Sequence, residues 1–521
     1  MRGLALMSVL ITASAMPVAA QPVADRFLVI PFDNLGHEAR IYWMAEASAI
    51  LLSDNLTDSG RRAYSREDRL EAFERLQLPA SASLSRATVI RLGRLVGASN
   101  VVIGSLQLAG SQITVHAQNV RLDTGRMEGD VTESGAIDDL FAIYDRLTSR
   151  LIGAPAVRGR HPSVQVFEDY VKGLLASSTP TKIGYLQAAL KLDPGFDRAR
   201  LALWAVNYEA GSSQASLVAA TAVPESSPFY ARARFSAALS LMQLKRLDDA
   251  FATLRTLADR SPSATLMNNL GVIQLRRPVT PQAGRPTYYF NEAIKLDAAD
   301  PDYYFNLGYA YWLEHDAQGA VYWLREALRR RPADGDAHAL LAAALQLMGA
   351  ATESAREREL ATQLSAKPVD AASRGLERLK LTLDVSIEHL NTALSETGQR
   401  DQRELAAFHL DRGRRLFEQG NDAEATAELQ RALYSSPYEA EAHLLLGRIH
   451  LRLGRTQAAI DAFKISLWSS ETTAAHLALA QAYVQAKNET AARSEAQRAL
   501  VLAPDSPEAK DAKELLSKLK P

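Results

Sequence analysis

Cysteine is absent from the 521 residues of this chain. Without thiols, the protein can form no disulfide, no zinc–thiolate site and no cysteine nucleophile. The phosphate-binding glycine loop, the dinucleotide fingerprint and the calcium-binding loop are missing as well. The sequence therefore predicts no catalytic, metal-binding or cofactor-binding residues, and we expect the protein not to be an enzyme.

The chain also lacks a marked excess of either charge. Its 59 lysines and arginines nearly balance its 60 aspartates and glutamates, which leaves a net charge of −1. A protein that binds nucleic acid usually presents a strongly basic surface to the phosphates. The charge balance therefore argues against a nucleic-acid partner.

Long apolar runs are the third absence. No stretch reaches the roughly 18 uninterrupted apolar residues that a membrane-spanning helix needs, so we expect no integral membrane segment. A shorter apolar run from Leu4 to Ala13 follows Arg2 and precedes the small residues Val18-Ala19-Ala20. This pattern is typical of a secretory signal peptide over residues 1–20, although an ordinary apolar helix is the alternative. Export in a Gram-negative bacterium would place the mature protein in the periplasm.

A repeat of 34 residues is the main positive feature of the sequence. Ten residues near the C-terminus recur at this step: Ala406, His409, Leu410, Gly413, Arg414, Gly420, Ala425, Leu433, Ser435 and Ser436 reappear as Ala440, His443, Leu444, Gly447, Arg448, Gly454, Ala459, Leu467, Ser469 and Ser470. This period is typical of a helix–turn–helix unit that cannot bury its apolar face alone and must stack on neighbours.

The repeat resembles the tetratricopeptide family. The unit that starts at Pro301 matches all six of its characteristic positions, with Gly308, Tyr311, Ala320, Leu324, Ala327 and Pro332. Small residues let the two helices approach closely, and the proline ends the second helix. The resemblance implies a mostly α fold, an α-solenoid of eight or nine units, that holds a protein or peptide partner.

Seven segments follow from the repeat and from the composition. They are a signal peptide (1–20), a mixed α/β domain (21–152), a linker (153–162), a degenerate to regular repeat array (163–368), a helical linker or irregular repeat (369–403), a C-terminal array of three repeats (404–505) and a polar capping helix (506–521) with Ser506 as its N-cap.

The N-terminal domain has the predicted order β-α-β-α-α-β-β-β-α. Its first strand and a later Gly-Ser pair resemble the envelope domains of the TolB amino-terminal, FlgO and CsgG type: the matching residues are Val29, Ile30, Pro31, Phe32, Asn34, Gly104, Ser105, Thr124 and Gly125. Arg121 stands where that family has an aspartate. The resemblance implies an envelope setting and a role in assembly.

Two groups of residues are candidates for partner binding. Family members line their concave groove at positions occupied in the Pro301 unit by Asp302, Phe305, Tyr309, Trp312 and Leu313. Exposed aromatics in such a groove favour binding of a partner. Alternatively, the chain itself fills the groove, for example with the proline-rich loop at residues 278–286.

The second group is basic. In the C-terminal array, Arg414, Arg448 and Arg452 fall at groove positions and predict either a stripe for an acidic or C-terminal carboxylate peptide or ordinary solvated arginines. Four histidines share repeat position 4: they are His338, His409, His443 and His476. Neighbouring repeats lie about 8–10 Å apart, too far for shared zinc ligands, so we interpret these histidines as packing residues.

These features together predict a non-enzymatic periplasmic scaffold or adaptor that binds a protein or peptide in the concave groove of its solenoid. An envelope or outer-membrane assembly, oligomerising through the N-terminal domain, is the alternative. A regulatory subunit with an activity in the N-terminal domain is a third hypothesis.

Overall fold

The computed structural model describes residues 25–36, 38–76, 78, 84, 86–122, 126–155, 161–277, 284–364, 379–381, 397–436 and 438–519. The predicted signal peptide, the turn at residues 123–125 and residues 278–283 of the proline-rich loop lie outside these ranges. Within them, no helix combines the length and apolar character needed to cross a bilayer.

The N-terminal part is a three-layered α/β domain. Its elements are β1 (Arg26–Val29), β2 (Asp33–Asn34), α1 (Met44–Asp58), β3 (Arg62–Ala63), α2 (Arg66–Arg75), α3 (Arg86–Val96), β4 (Asn100–Ala109), β5 (Gln112–Arg121), β6 (Met127–Ala136) and α4 (Leu140–Ile152). The predicted order of elements is observed, with the two-residue strand β2 as an addition.

The sheet has the strand order β3-β1-β4-β5-β6, and β2 pairs with β4 off this path. Strand β1 is parallel to β3 and β4, whereas β4, β5 and β6 form an antiparallel meander. Alternate residues point to opposite faces. In β1, Val29 therefore joins the core under α1 and α4, while Leu28 joins the core under α2 and α3.

Nine pairs of antiparallel helices and a final helix make up the rest of the described chain. They are α5 (Val164–Leu175), α6 (Thr179–Leu192), α7 (Asp197–Glu209), α8 (Ser213–Thr221), α9 (Tyr230–Gln243), α10 (Leu247–Arg260), α11 (Ala264–Arg276), α12 (Pro286–Leu296), α13 (Pro301–Leu313), α14 (Ala317–Arg330), α15 (Gly335–Leu347), α16 (Ala351–Leu364), α17 (Thr397–Glu418), α18 (Asp422–Ser435), α19 (Ala440–Arg452), α20 (Thr456–Ser469), α21 (Thr473–Gln485), α22 (Glu489–Leu502) and α23 (Pro507–Lys518).

The repeat glycines explain why the two helices of a pair lie so close. A Cβ atom at Gly308 of α13 would lie 2.8 Å from Cγ of Leu324 in α14, and one at Gly447 would lie 2.4 Å from Cε1 of Phe463. Only glycine fits at such a contact without moving its neighbour. At the C-terminal end, Ser506 caps α23 by accepting a hydrogen bond from the backbone N–H of Ala509, as predicted.

Two parts of the array differ from expectation. The pair α7–α8 was not singled out by the spacing, because α8 has only 9 residues. The helical pattern expected over 369–403 is wrong for residues 379–381, which lie outside any helix, and α17 begins at Thr397 and runs through the predicted boundary at 404.

The C-terminal array folds back onto the N-terminal domain. Trp468 of α20 joins the core that contains α1 and α4, and the ring of Tyr42 meets those of Tyr438 and Trp468 edge-on at 5.7 and 6.2 Å between centroids. Burial at this contact raises the pKa of Tyr42 to about 12. The backbone N–H of Ser177 also donates to the carbonyl of Ser469 at 3.1 Å. The N-terminal domain and the first helical pair are therefore packed against the C-terminal array.

Candidate functional site

The predicted aromatic residues lie on α13, in the concave groove formed with α11 and α15. The rings of Phe305, Tyr309 and Trp312 form a continuous stack, with centroids 6.2 and 5.8 Å apart. Phe305 and Tyr309, however, are fully buried, and Trp312 is partly buried. The expectation of an exposed aromatic surface is therefore wrong for the first two residues.

A segment of the chain itself, residues 379–381, packs into the same core and lies over the Phe305 ring. Leu379 is 5% exposed and belongs to the same apolar core as Phe305 and Tyr309, and Leu381 packs against that core. The ammonium of Lys380 lies 4.4 Å from the centre of the Phe305 ring. Residues 379–381 of the chain itself therefore lie against this part of the groove, whereas residues 278–283 of the proline-rich loop suggested as an occupant lie outside the described residues.

The backbone of Lys380 is held by two asparagine side chains from consecutive repeats. Its N–H donates to Oδ1 of Asn306 at 2.8 Å, and its carbonyl accepts from Nδ2 of Asn306 at 2.7 Å and from Nδ2 of Asn268 at 3.0 Å. The Asn306 amide also donates to Oδ1 of Asn268 at 2.8 Å. Both backbone polar groups of Lys380 are therefore satisfied by side chains of the groove, which is how an extended peptide would be held.

Sequence reasoning missed these asparagines, although a signal exists. Asn268 of α11 and Asn306 of α13 are both completely buried, and α11 also buries Asn269. A buried amide is costly unless its donors and acceptor are hydrogen-bonded. Buried asparagines on adjacent inner helices therefore indicate a polar occupant between them.

Three charged side chains surround the end of the Lys380 side chain. Its ammonium forms ion pairs with Asp334 and, at 3.4 Å, with Asp302. Arg331 contacts both carboxylates, at 2.6 Å for Asp302 and 3.7 Å for Asp334. The four side chains are between 8% and 30% exposed, so these interactions are partly shielded from water.

Asp334 is the most buried member of this group, and burial by itself would raise its pKa. The nearby Lys380 ammonium and a hydrogen bond from the Ala337 backbone N–H outweigh that effect, so the pKa is lowered from its ordinary value of 3.8. Asp334 is also the N-cap of α15, through Oδ1 at 3.0 Å from the Ala337 nitrogen. The carboxylate therefore stays ionised near neutral pH, with one oxygen fixed to the helix and the other facing the ammonium.

The remaining predicted groove residues have mixed roles. Asp302 takes part in the ion pairs just described, and Leu313 is packed against the core. The indole N–H of Trp312 is buried and finds no hydrogen-bond acceptor in the described part of the chain.

The C-terminal arginines do not form the predicted basic stripe. Arg414 makes a two-point ion pair with Glu441, at 2.7 and 2.8 Å. Arg452 is paired with Asp422 and lies over the ring of Phe417, 4.1 Å from its centre. Both arginines are therefore neutralised by carboxylates of the same chain.

Arg448 is different, because within the described residues it has no carboxylate partner. It lines a groove of about 700 Å³ between α19, α21 and α23, together with Glu508 and Asp511. The groove carries both charges and so does not select for an acidic peptide.

The repeat histidines form pairs within their own repeats. Nδ1 lies 2.5–2.7 Å from a glutamate oxygen in each of three pairs: His338 with Glu357, His409 with Glu428 and His476 with Glu495. The fourth, His443, instead packs edge-on against Tyr42 at 6.1 Å. These contacts support the interpretation of the histidines as packing residues.

A larger cavity, of about 1090 Å³, lies where the α/β domain, α5–α6 and α20–α22 meet. Its lining includes Lys172, Tyr185, Lys464, Trp468 and Glu471. Cationic, anionic and aromatic groups alternate around it, so its walls define no single ligand chemistry.

The geometry defines a class: a helical-repeat solenoid whose inner helices α11 and α13 hold the backbone of Lys380 of the same chain. A family model described as the tetratricopeptide repeat matches residues 207–265, 288–336 and 410–472. The helix pairs in these ranges are therefore tetratricopeptide repeats, as the sequence predicts.

Solved structures with similar folds have low sequence identity. A crystal structure of the MamA protein is 17% identical over 32% of this chain and 91% of that chain, with a TM-score of 0.28. The APC/C hetero-tetramer Cut9–Hcn1 is 15% identical over 69% of this chain and 63% of that chain, with a TM-score of 0.24. These similarities are too weak to carry information about function. Among curated proteins, none matches the sequence.

Proposed function

We propose that this protein is a non-enzymatic scaffold that binds an extended segment of a partner protein between α11, α13 and α15. The observation that carries the proposal is the binding of the Lys380 backbone in the groove, where Asn306 bonds both its N–H and its carbonyl. Side-chain amides that bind a peptide backbone supply affinity for any extended chain. Side-chain pockets on either side then supply specificity.

The groove suits this role energetically. Its amides and aromatic rings are held by helices. Binding therefore costs the conformational entropy of the bound segment but little for ordering the site. The stack of Phe305, Tyr309 and Trp312 lies next to the amide clamp, and its Phe305 ring contacts the bound residue Lys380. Aromatic anchors in a well-packed site contribute most of the affinity in many interfaces.

We further propose that the scaffold works in the periplasm, with the N-terminal domain as an envelope-type module. The apolar run Leu4–Ala13 and the small residues that follow it support export. The strand residues Val29 to Phe32 and Asn34 support the resemblance to TolB, FlgO and CsgG type domains. A fusion of residues 1–30 to a reporter enzyme that is active only outside the cytoplasm tests the location. An inactive fusion would contradict export.

Site-specific photo-crosslinking in the native host tests the binding groove. A photoreactive amino acid at Trp312 is compared with one at Tyr322, which is an aromatic residue 59% exposed on the neighbouring helix α14. We expect a discrete adduct of higher mass from position 312 only, and its loss when Asn306→Ala is added. Adducts from both positions, or an adduct that is insensitive to Asn306, would contradict binding in the groove.

A further inference from the structure

We infer that the groove selects a lysine flanked by apolar residues, and that Leu379–Leu381 is a resident copy of this ligand that a partner segment must displace. The inference rests on the proposed function, because it names the class of peptide that the same groove binds and the contact that regulates access to it.

The net charge of the pocket around the Lys380 ammonium favours a cationic side chain. Asp302 and Asp334 contribute two negative charges and Arg331 one positive charge, so these three side chains sum to −1 when Lys380 is removed and to zero when it is present. A half-buried site with an uncompensated charge is unfavourable. A neutral side chain in place of the ammonium would leave the negative charge unpaired.

The shape of the pocket favours lysine over arginine. One oxygen of Asp334 is already bound to the Ala337 backbone N–H, so only the other is directed at the ligand. A compact ammonium can use a single oxygen, whereas a guanidinium is best matched by a carboxylate that offers both. The face of the Phe305 ring, 4.4 Å from the Lys380 nitrogen, adds a cation–π contact.

The flanking leucines complete the motif. Leu379 is 5% exposed in the core formed by α11, α13 and α15, and Leu381 packs against the same core. Removal of apolar side chains such as these from water favours binding. The ligand class is therefore an extended segment with the pattern apolar–lysine–apolar.

The resident segment acts as a competitor. Lys380 follows the end of α16 at Leu364 and precedes the start of α17 at Thr397, so it is tethered to the groove on both sides. A tethered ligand has an effective local concentration on the order of millimolar. A partner segment that makes the same contacts should therefore bind less tightly to the native chain than to a variant in which residues 379–381 no longer occupy the groove.

The test uses the full chain and a rhodamine-labelled synthetic peptide with the sequence of residues 376–384. A variant with Leu379→Ser, Lys380→Ser and Leu381→Ser, called the vacated variant, lacks the resident contacts. Fluorescence anisotropy is expected to show at least tenfold tighter binding of the peptide to the vacated variant than to the native chain. A peptide with glutamine in place of the lysine should bind at least tenfold more weakly than the original.

Two further variants assign the effect to the groove. Asp334→Asn in the vacated variant retains a good N-cap for α15 but removes the charge, so it should abolish the preference for lysine over glutamine. Asn306→Ala in the vacated variant should weaken binding of both peptides, roughly 5- to 150-fold, because two hydrogen bonds to the peptide backbone are lost. Circular dichroism confirms that each variant is folded.

Each other outcome overturns a stated part of the inference. Equal binding of the lysine and glutamine peptides would overturn selection of lysine, and equal affinity of native and vacated chains would overturn the resident competitor. No binding to either chain would overturn the inference as a whole. The proposed function would then still stand if the adduct at position 312 forms and depends on Asn306, and would fail separately if it does not.

Discussion

Removal of the Asn306 side chain should release residues 379–381 from the groove without unfolding the repeats. The Asn306→Ala variant loses two hydrogen bonds to the backbone of Lys380, at 2.7 and 2.8 Å. Each is worth about 0.5–1.5 kcal/mol net. The free energy that holds residues 379–381 in the groove therefore falls by about 1–3 kcal/mol. The population of released segment then rises roughly 5- to 150-fold. Alanine also favours the helix more than asparagine does, so α13 itself should persist.

The absence of cysteine makes the assay clean. Leu379→Cys introduces the only thiol of the chain at a position that is 5% exposed, so a maleimide reacts with it only when the segment leaves the groove. The rate of labelling at neutral pH, measured by mass spectrometry, then reports the released population. We expect it to rise by the factor above when Asn306→Ala is added to this background.

Asn291→Ala is the matched control. Asn291 lies on α12, and among the described residues its side chain donates to the Thr287 carbonyl of its own helix, at 2.8 Å. This change should leave the labelling rate unaltered. The argument for an amide clamp would be refuted if Asn306→Ala labelled at the control rate, or if both variants accelerated labelling equally while circular dichroism showed both to be folded.

Three other predictions concern packing and pH. Gly447→Ala should lower the free energy of unfolding by about 1–3 kcal/mol, because its Cβ would press on Phe463, whereas Gly184→Ala, with nothing within 4 Å, should raise it by up to about 1 kcal/mol; urea denaturation measures both. Trp468→Ala should separate the C-terminal array from the N-terminal domain and increase the radius of gyration in X-ray scattering, and an unchanged radius would contradict this contact. Burial by itself raises the pKa of Asp334, and the Lys380 ammonium in the occupied groove reverses this and lowers the pKa, so a bound lysine stabilises the ionised carboxylate. Peptide affinity for the vacated variant should therefore be fully present near neutral pH and be lost as pH falls and Asp334 takes up a proton, whereas an affinity that rises in acid would contradict this.

The sequence predicted most of what depends on neighbours along the chain. A glycine such as Gly308 and the leucine that it meets, Leu324, lie in the same helical pair, so a 34-residue period is enough to identify them. The alternation of buried residues in β5 and the turn at Gly110, with φ +64°, were similarly readable from local pattern. These features need no knowledge of distant contacts.

The candidate site was only partly predictable. The repeat register predicted the aromatic positions on α13, but it did not predict that these aromatics are buried. Leu379 belongs to the same core, although three helices separate it from α13 in the chain. The repeat register predicted groove positions for Arg414 and Arg452, but it did not predict their partners Glu441 and Asp422, which come from adjacent repeats. The position of a residue within the repeat predicts the helix face on which it lies but not the residue that contacts it there.

The sequence by itself thus determined the stacked helical pairs, the α/β domain before them and the absence of thiol chemistry, because each rests on composition or on contacts within one or two elements. Only the tertiary structure decided that residues 379–381 occupy the groove and that Ser177 meets Ser469 across 292 residues of chain. Such contacts depend on the accumulated curvature of many repeats and on complementary surfaces far apart in sequence, and no local pattern encodes either.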